Sequence, residues 1–187
     1  ELSGAAGVAV NAGDPGHDAT DGEVSIRLED SSVESGGMVM ISAVGADAAV
    51  EVTTTEEAER ASSIQAATGV TISATSTTDN SGSASVSIAS DAGEATTVSG
   101  TTVTVNAAGA AGNSAIVLDH AAIEATAGDA MLTVGSEEAD ASFESYASVV
   151  EAATEITIMV NGAGDATVVL DGEQKGESFT AGAGVMV

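Results

Sequence analysis

The sequence of 187 residues contains no cysteine and no tryptophan, and its only aromatic side chains are two phenylalanines and one tyrosine. The lack of cysteine excludes disulfide bonds, thiolate nucleophiles and cysteine-ligated zinc or iron–sulfur clusters. Because aromatic residues are scarce, a core has to be built from Val, Ile, Leu, Met and Ala. Hydrophobic residues make up 43% of the chain and charged residues 17%, so the composition predicts one folded domain rather than a disordered chain.

Basic residues are nearly absent as well. Arg27, Arg60 and Lys175 are the only lysines and arginines, against 29 acidic residues, and the formal net charge is -26. A nucleic-acid groove needs several Lys or Arg side chains to neutralise phosphates, so direct binding of nucleic acid is excluded. An anionic membrane surface repels such a chain, and no apolar run approaches the roughly 18 residues of a spanning helix, so membrane insertion is not expected.

The excess of acid predicts a dependence on ions. At low salt so acidic a surface repels itself, whereas high ionic strength screens the repulsion and divalent cations bridge carboxylates. We therefore expect cations as partners and an ion-rich setting such as seawater or brine, as for halophilic proteins. The predicted location is extracellular, at a cell surface or in a virion.

Short runs of β-branched residues with alternating polarity predict a mainly β domain. In the first run Val24, Ile26 and Leu28 share one face, which is typical of a half-buried strand. The eleven predicted strands are Glu23–Leu28, Met38–Val44, Ala49–Thr53, Val70–Ser76, Ser83–Ala89, Thr101–Asn106, Ala115–Asp119, Met131–Val134, Glu155–Val160, Ala166–Leu170 and Gly182–Val187.

Two dipeptides near the C-terminus predict tight hairpin turns. Asn161-Gly162 follows the run Glu155–Val160, and Asp171-Gly172 follows the run Ala166–Leu170. Both dipeptides tolerate the positive φ angles that such turns require. The C-terminal third is therefore predicted to be an antiparallel meander.

Two segments depart from strand alternation and predict helices. Thr54-Thr55-Glu56-Glu57 matches a capping box, and helically spaced apolar residues continue to a stop at Gly69, so one short helix is predicted over 54–69. Over 136–154, apolar residues that include Phe143 and Tyr146 recur mostly at intervals of three and four. This second helix is predicted to cover one end of the β core.

The spacing of the strands bears on the fold class. Strand starts at Val70, Val86, Val103, Ile116 and Leu132 recur about every 13 to 17 residues, which permits a β-solenoid. However, no Gly, Asn or Asp position is fixed from one repeat to the next, and the predicted helices interrupt the series. We therefore predict a single antiparallel β-sandwich or jelly-roll-like domain with one or two short helices, and the alternative is a β-solenoid.

Signatures of catalysis are missing. Neither His17 nor His120 lies near a Gly-x-Ser-x-Gly motif, and the glycines at 162–164 and 182–184 lack the residues of a phosphate-binding loop. We predict that the chain is not an enzyme and has no catalytic or cofactor-binding residues.

One acidic loop is the candidate for metal binding. Asp14, Asp18, Asp21 and Glu23 fall within ten positions, and hard oxygen ligands at this density suit calcium. The spacing matches neither an EF-hand nor the glycine-rich repeat of calcium-binding β-rolls, and a solvated loop with turn-forming Asp residues explains the same pattern. Ca²⁺ is the only cofactor candidate.

Both ends of the sequence are apolar, although free chain ends are usually polar. Such ends are expected either to lie in their own sheet or to add a strand to a neighbouring subunit. We predict two parts: an apolar N-terminal segment over 1–10 and a single β-rich domain over 11–187. If the apolar ends add strands to a neighbouring subunit, segment 1–10 is the part that is exchanged. The candidate assembly residues are Leu2, Val8, Val10, Val185 and Val187.

These features predict a non-enzymatic structural subunit of an extracellular or virion assembly, such as a filament, surface layer or shell. Its partners are copies of itself, joined by β-strand-mediated self-association into a homopolymer or lattice. The alternative is a calcium-dependent adhesion or glycan-binding β module, which would be monomeric and lose order in chelator.

Overall fold

A computed structural model describes residues 1–13, 22–77, 82–171 and 177–187. In this part of the chain every regular element is a β-strand. The twenty strands are β1 (Leu2–Gly4), β2 (Gly7–Ala12), β3 (Glu23–Glu29), β4 (Ser32–Ser35), β5 (Met38–Gly45), β6 (Asp47–Thr54), β7 (Ser63–Ala66), β8 (Gly69–Ser76), β9 (Ala84–Ser90), β10 (Thr96–Gly100), β11 (Thr102–Gly109), β12 (Ser114–Asp119), β13 (Ala121–Ala125), β14 (Ala130–Ser136), β15 (Ala141–Tyr146), β16 (Val149–Ala152), β17 (Glu155–Gly162), β18 (Ala166–Asp171), β19 (Ser178–Ala181) and β20 (Gly184–Met186).

The strands form three sheets. Sheet A has the order β1-β4-β7-β10-β13-β16-β19, sheet B has β2-β5-β8-β11-β14-β17-β20, and sheet C has β18-β15-β12-β9-β6-β3. Neighbouring strands within each sheet are parallel. Consecutive strands pass from sheet A to B to C and back to A, so the chain winds through about six turns of a β-solenoid.

The predicted antiparallel β-sandwich or jelly roll is therefore wrong, and the β-solenoid alternative is confirmed. The predicted meander fails at its first turn, because the chain leaves β17 at Gly162 and turns a corner into another sheet. Strand β18 then pairs in parallel with β15 and not with β17. Gly172 of the second predicted turn lies outside the described residues; the next described strand, β19, pairs in parallel with β16 and not with β18.

Both predicted helices are also wrong. In the segment 54–69, the Thr54 hydroxyl accepts a hydrogen bond from the Ser62 amide at 2.7 Å, and not from the Glu57 amide as a helix cap would. The segment continues into β7. The second segment forms β15 and β16, which place Phe143 and Val150 in the core from two different sheets. A corner between two strands thus produced the apparent helical spacing.

The turns of the solenoid differ in length, which explains why no fixed repeat is visible in the sequence. Ile123 pairs with Val98, which is 25 residues earlier, whereas Val86 pairs with Val50, which is 36 residues earlier. The corner loops absorb this difference, and the strands stay in register. The spacing of about 13 to 17 residues separates strands that alternate between sheets B and C and passes over the strands of sheet A, so it does not measure the length of a turn.

Stacked aliphatic side chains fill the interior. In sheet B, Ile41, Ile72, Val105 and Leu132 occupy the same register position on adjacent strands, and all are buried. Phe143 is the largest fully buried side chain. The stacking removes most of each strand's apolar face from water, which is the main source of stability in such a fold.

Polar side chains buried at a corner between sheets C and A are hydrogen-bonded to one another. The Thr54 and Thr96 hydroxyl oxygens are 2.8 Å apart, and the Thr96 hydroxyl donates to the Ala89 carbonyl at 2.6 Å. The Ser62 hydroxyl donates to the Thr53 carbonyl at 2.6 Å. These bonds satisfy the backbone where it leaves the sheet ladders.

Candidate functional site at the two ends of the solenoid

The first turn of the solenoid exposes part of the core. Strands β1, β2 and β3 each lie at the edge of a sheet, and no described strand pairs with their outer side. Leu2 continues the inward row that contains buried Val33, yet 46% of its surface is exposed. Val8 and Val10 are half-buried and pack against the core.

The last turn exposes the core at the opposite end. Val168 lies beside buried Phe143 in register, and Val185 lies beside buried Ile156. Their exposed fractions are 39% and 45%, and that of Leu170 is 43%. Each of these residues faces the interior, so its exposure comes from the open end of the solenoid and not from an outer face.

The two ends are complementary in backbone hydrogen bonding in sheets A and B, which have seven strands each, whereas sheet C has six and its last strand lies one strand spacing below the end. All strands of a sheet run in the same direction, so the last strand of one copy presents the bonding pattern that the first strand of another copy accepts. In sheet C, Val168 of one end and Ile26 of the other belong to the same inward row. Solenoids ordinarily need a polar terminal repeat to cover such surfaces. The described residues provide no such cover at either end.

The basic side chain of Arg27 lies near two carboxylates at the first turn. Arg27 lies on the outward side of β3, with Nη2 2.6 Å from Oε2 of Glu29 and Nε 3.8 Å from Oε2 of Glu51. All three side chains are well exposed. Exposed ion pairs contribute little to stability, so these contacts add little to the first turn.

Two polar pairs lie near the carboxyl ends of strands in sheet C. The Tyr146 hydroxyl donates a hydrogen bond to Oε2 of Glu144 at 2.8 Å, and this bond raises the pKa of Tyr146 above its ordinary value. Nδ1 of His120 lies 2.7 Å from Oδ1 of Asp119. Both members of the second pair are exposed, so they lack the water-excluded cleft in which such a pair acts as a catalyst.

The predicted metal ligands are mostly untested. Asp14, Asp18 and Asp21 lie outside the described residues, as does His17. Glu23 is exposed at the start of β3. Among the residues that the structure describes, no cluster of three or more His, Asp or Glu side chains is arranged to hold a metal ion.

The candidate assembly residues lie at the two ends of the solenoid. Leu2, Val8 and Val10 belong to β1 and β2, which pair with β4 and β5 of the same chain, so exchange of segment 1–10 stays a prediction. Val185 belongs to β20, and Val187 follows that strand with 65% of its surface exposed.

Sequence reasoning missed Val168 and Leu170 as exposed apolar residues at an end of the fold. A strand inside an antiparallel meander would have been covered on both sides. The signal that identifies them is the inward row of a parallel solenoid, which becomes visible only when strands of successive turns are aligned.

Comparisons with known proteins add no relative. The chain matches no protein-family model, no curated protein and no solved structure. Within the described residues, no helix has the length and apolar character needed to cross a membrane.

Proposed function

We propose that the chain is a non-enzymatic structural subunit that assembles end to end into an extracellular filament. The observation that carries the proposal is the exposure of inward-facing core residues beside edge strands, at both ends of the solenoid, that no other described strand pairs with on their outer side. End-to-end stacking covers Leu2 and Val185 and pairs the edge strands of sheets A and B in one step.

A filament follows from the kind of contact. The first turn of one copy meets the last turn of the next, so the two contacting surfaces differ. Such a heterologous contact forms a ring when its rotation closes and a filament when it does not. Strands perpendicular to the stacking axis, joined in parallel, favour the open, polar filament over a shell.

Charge sets the conditions for this assembly. Copies that each carry a formal charge of -26 repel one another in dilute buffer. The Debye length is about 30 Å at 0.01 M salt and about 8 Å at 0.15 M, so added salt shortens the range of the repulsion while leaving the apolar contact intact. We expect filaments to lengthen as the ionic strength rises.

The experiment compares two acidic substitutions on the same strand. Val168→Asp places a charge on the inward row of β18, and Thr167→Asp places the same charge on its outward side, where Thr167 is exposed. Negative-stain electron microscopy of the 187-residue chain at high salt is expected to show filaments for the parent and for Thr167→Asp, and none for Val168→Asp.

Circular dichroism of each variant verifies that the solenoid remains folded. Equal filament formation by the two variants would contradict the proposal, and so would a parent chain that stays dispersed at every salt concentration.

A further inference from the structure

The outward side of sheet B differs in charge from the rest of the surface. Glu155 is the only charged residue in the seven strands of this sheet. The outward sides of the other sheets carry acids in several strands, for example Glu34 and Glu124 in sheet A and Glu51 and Glu144 in sheet C. In a chain with 29 acidic residues, a sheet with one charged residue is a distinct surface.

All five methionines of the chain lie on this side of sheet B. Methionine ordinarily fills gaps in a core, and clusters of exposed methionine are typical of surfaces that bind other proteins. The exposed fractions are 48% for Met38, 41% for Met40, 42% for Met131, 51% for Met159 and 59% for Met186.

Between the methionines lie short uncharged side chains. One outward row passes from Met40 through Thr71 and Thr104 to Met131 on adjacent strands. In the next row, the Ser73 hydroxyl donates to the Ser42 hydroxyl at 3.1 Å. Such bonding within the sheet lowers the cost of removing these hydroxyls from water. We call the outward side chains of sheet B the methionine face.

The methionine face is large enough for a stable contact. Seven strands spaced about 4.8 Å apart and about seven residues long at 3.3 Å per residue give a surface of roughly 33 by 23 Å. Two such faces in contact bury about 1,500 Å² in total. Specific protein interfaces bury about 1,200–2,000 Å².

We propose that the methionine face is an interface between two copies of this chain, packed face to face. A second copy supplies a surface of equal area whose strands carry one charged residue, Glu155, and the pairing directs the acidic sheets A and C of both copies away from each other. A basic partner would instead be attracted to sheets A and C. The flexible methionine side chains allow the two faces to adapt to each other.

This contact is lateral and does not depend on the ends of the solenoid. It is therefore tested in the Val168→Asp chain, in which end-to-end stacking is blocked. The salt concentration is about 1 M, where the Debye length is about 3 Å and the repulsion between copies is screened.

Sedimentation velocity then compares two double variants in that background. Met40→Glu with Met131→Glu adds two charges to the methionine face, and Ala49→Glu with Val117→Glu adds two charges to the outward side of sheet C. The Val168→Asp chain and the sheet C variant are expected to sediment at twice the 17.9 kDa chain mass. The methionine-face variant is expected to dissociate with a Kd raised about tenfold or more.

Peroxide oxidation followed by mass spectrometry gives a second readout. Oxidation of Met159 and Met186 should be slow in the dimer and fast in the methionine-face variant. A monomeric Val168→Asp chain, or equal dimerisation by the two double variants, would overturn the proposal. Flotation of a monomeric chain with phosphatidylcholine vesicles would assign the face to lipid and would overturn it as well.

The outcomes separate this proposal from end-to-end assembly. Filaments that persist in Val168→Asp contradict the end contact alone, and the loss of the dimer contradicts the lateral contact alone.

Discussion

An engineered disulfide tests the register of the solenoid directly. Ser85 on β9 and Ala115 on β12 are paired in register on the outward side of sheet C. Paired residues on adjacent strands have Cα atoms about 4.8 Å apart, within the range of about 4.4–6.8 Å that a disulfide spans. The chain has no native cysteine, so Ser85→Cys with Ala115→Cys can form only one intramolecular bond.

The stabilisation follows from the length of the closed loop. The bond closes a loop of about 30 residues, and the loss of chain entropy in the unfolded state is worth about 3.5–4 kcal/mol. Any strain in the folded state subtracts from this upper limit. Urea denaturation of the oxidised and reduced forms measures the difference.

In the control, one cysteine is moved by two residues along β9, which keeps it on the same side of the strand. In Ser87→Cys with Ala115→Cys the two Cα atoms are about 8 Å apart, beyond the reach of a disulfide without backbone movement. We expect rapid oxidation and stabilisation of the in-register pair and slow oxidation without stabilisation of the control. Equal oxidation of both pairs, or none of the in-register pair, would refute the parallel register.

Three further predictions concern the corners and the single tyrosine. Thr96→Val breaks a buried hydrogen-bond network and should lower the free energy of unfolding by about 1–3 kcal/mol, whereas Thr97→Val on the outward side of the same strand should be nearly neutral in the same urea titration. Gly37→Ala would place a Cβ against the Ala6 carbonyl oxygen and should lower the melting temperature, and Gly93→Ala meets open space and should not. Absorbance titration should give Tyr146 a higher pKa in the folded chain than in urea. The protonated tyrosine therefore stabilises the folded chain at pH values below the unfolded pKa of about 10, and this stabilisation is lost as pH rises through the folded pKa. Equal pKa values in the two states would contradict the hydrogen bond to the neighbouring carboxylate.

Most strands of sheets B and C could be predicted from the sequence, except β2 and β15, and the strands of sheet A could not. Each of the eleven predicted strands overlaps a strand of sheet B or C. Strands of sheet A are short and place little apolar surface inside; β4 contributes Val33 and β7 contributes Ile64. One inward apolar residue does not make an alternating pattern. In β13 three inward residues are apolar, but two of them are alanine, so this strand was missed as well.

The parallel arrangement was hidden by turn chemistry. Asn161-Gly162 has the composition of a hairpin turn, but Gly162 is needed for another reason. A Cβ at Gly162 would lie 2.9 Å from the Ala141 amide nitrogen and 3.1 Å from the Ala139 carbonyl oxygen, both in the preceding turn. The close approach of stacked corners selects glycine here, and a single sequence does not distinguish that constraint from a tight hairpin.

The candidate site was predicted in part. The apolar character of Leu2 and Val185 pointed to covered ends, because exposed strands with apolar side chains are an aggregation risk. The methionine face was not predicted, because its residues belong to strands from different turns. Met40 and Met131 become neighbours on one surface only when the sheet is assembled.

Cryo-electron microscopy of the 187-residue chain at high salt tests the central claim most directly. End-to-end stacking predicts filaments with strands perpendicular to the axis, a strand spacing of about 4.8 Å along it and a subunit repeat of about seven strand spacings, or roughly 33 Å. Dispersed single solenoids, or filaments in which the open ends point sideways and remain uncovered, would contradict the claim.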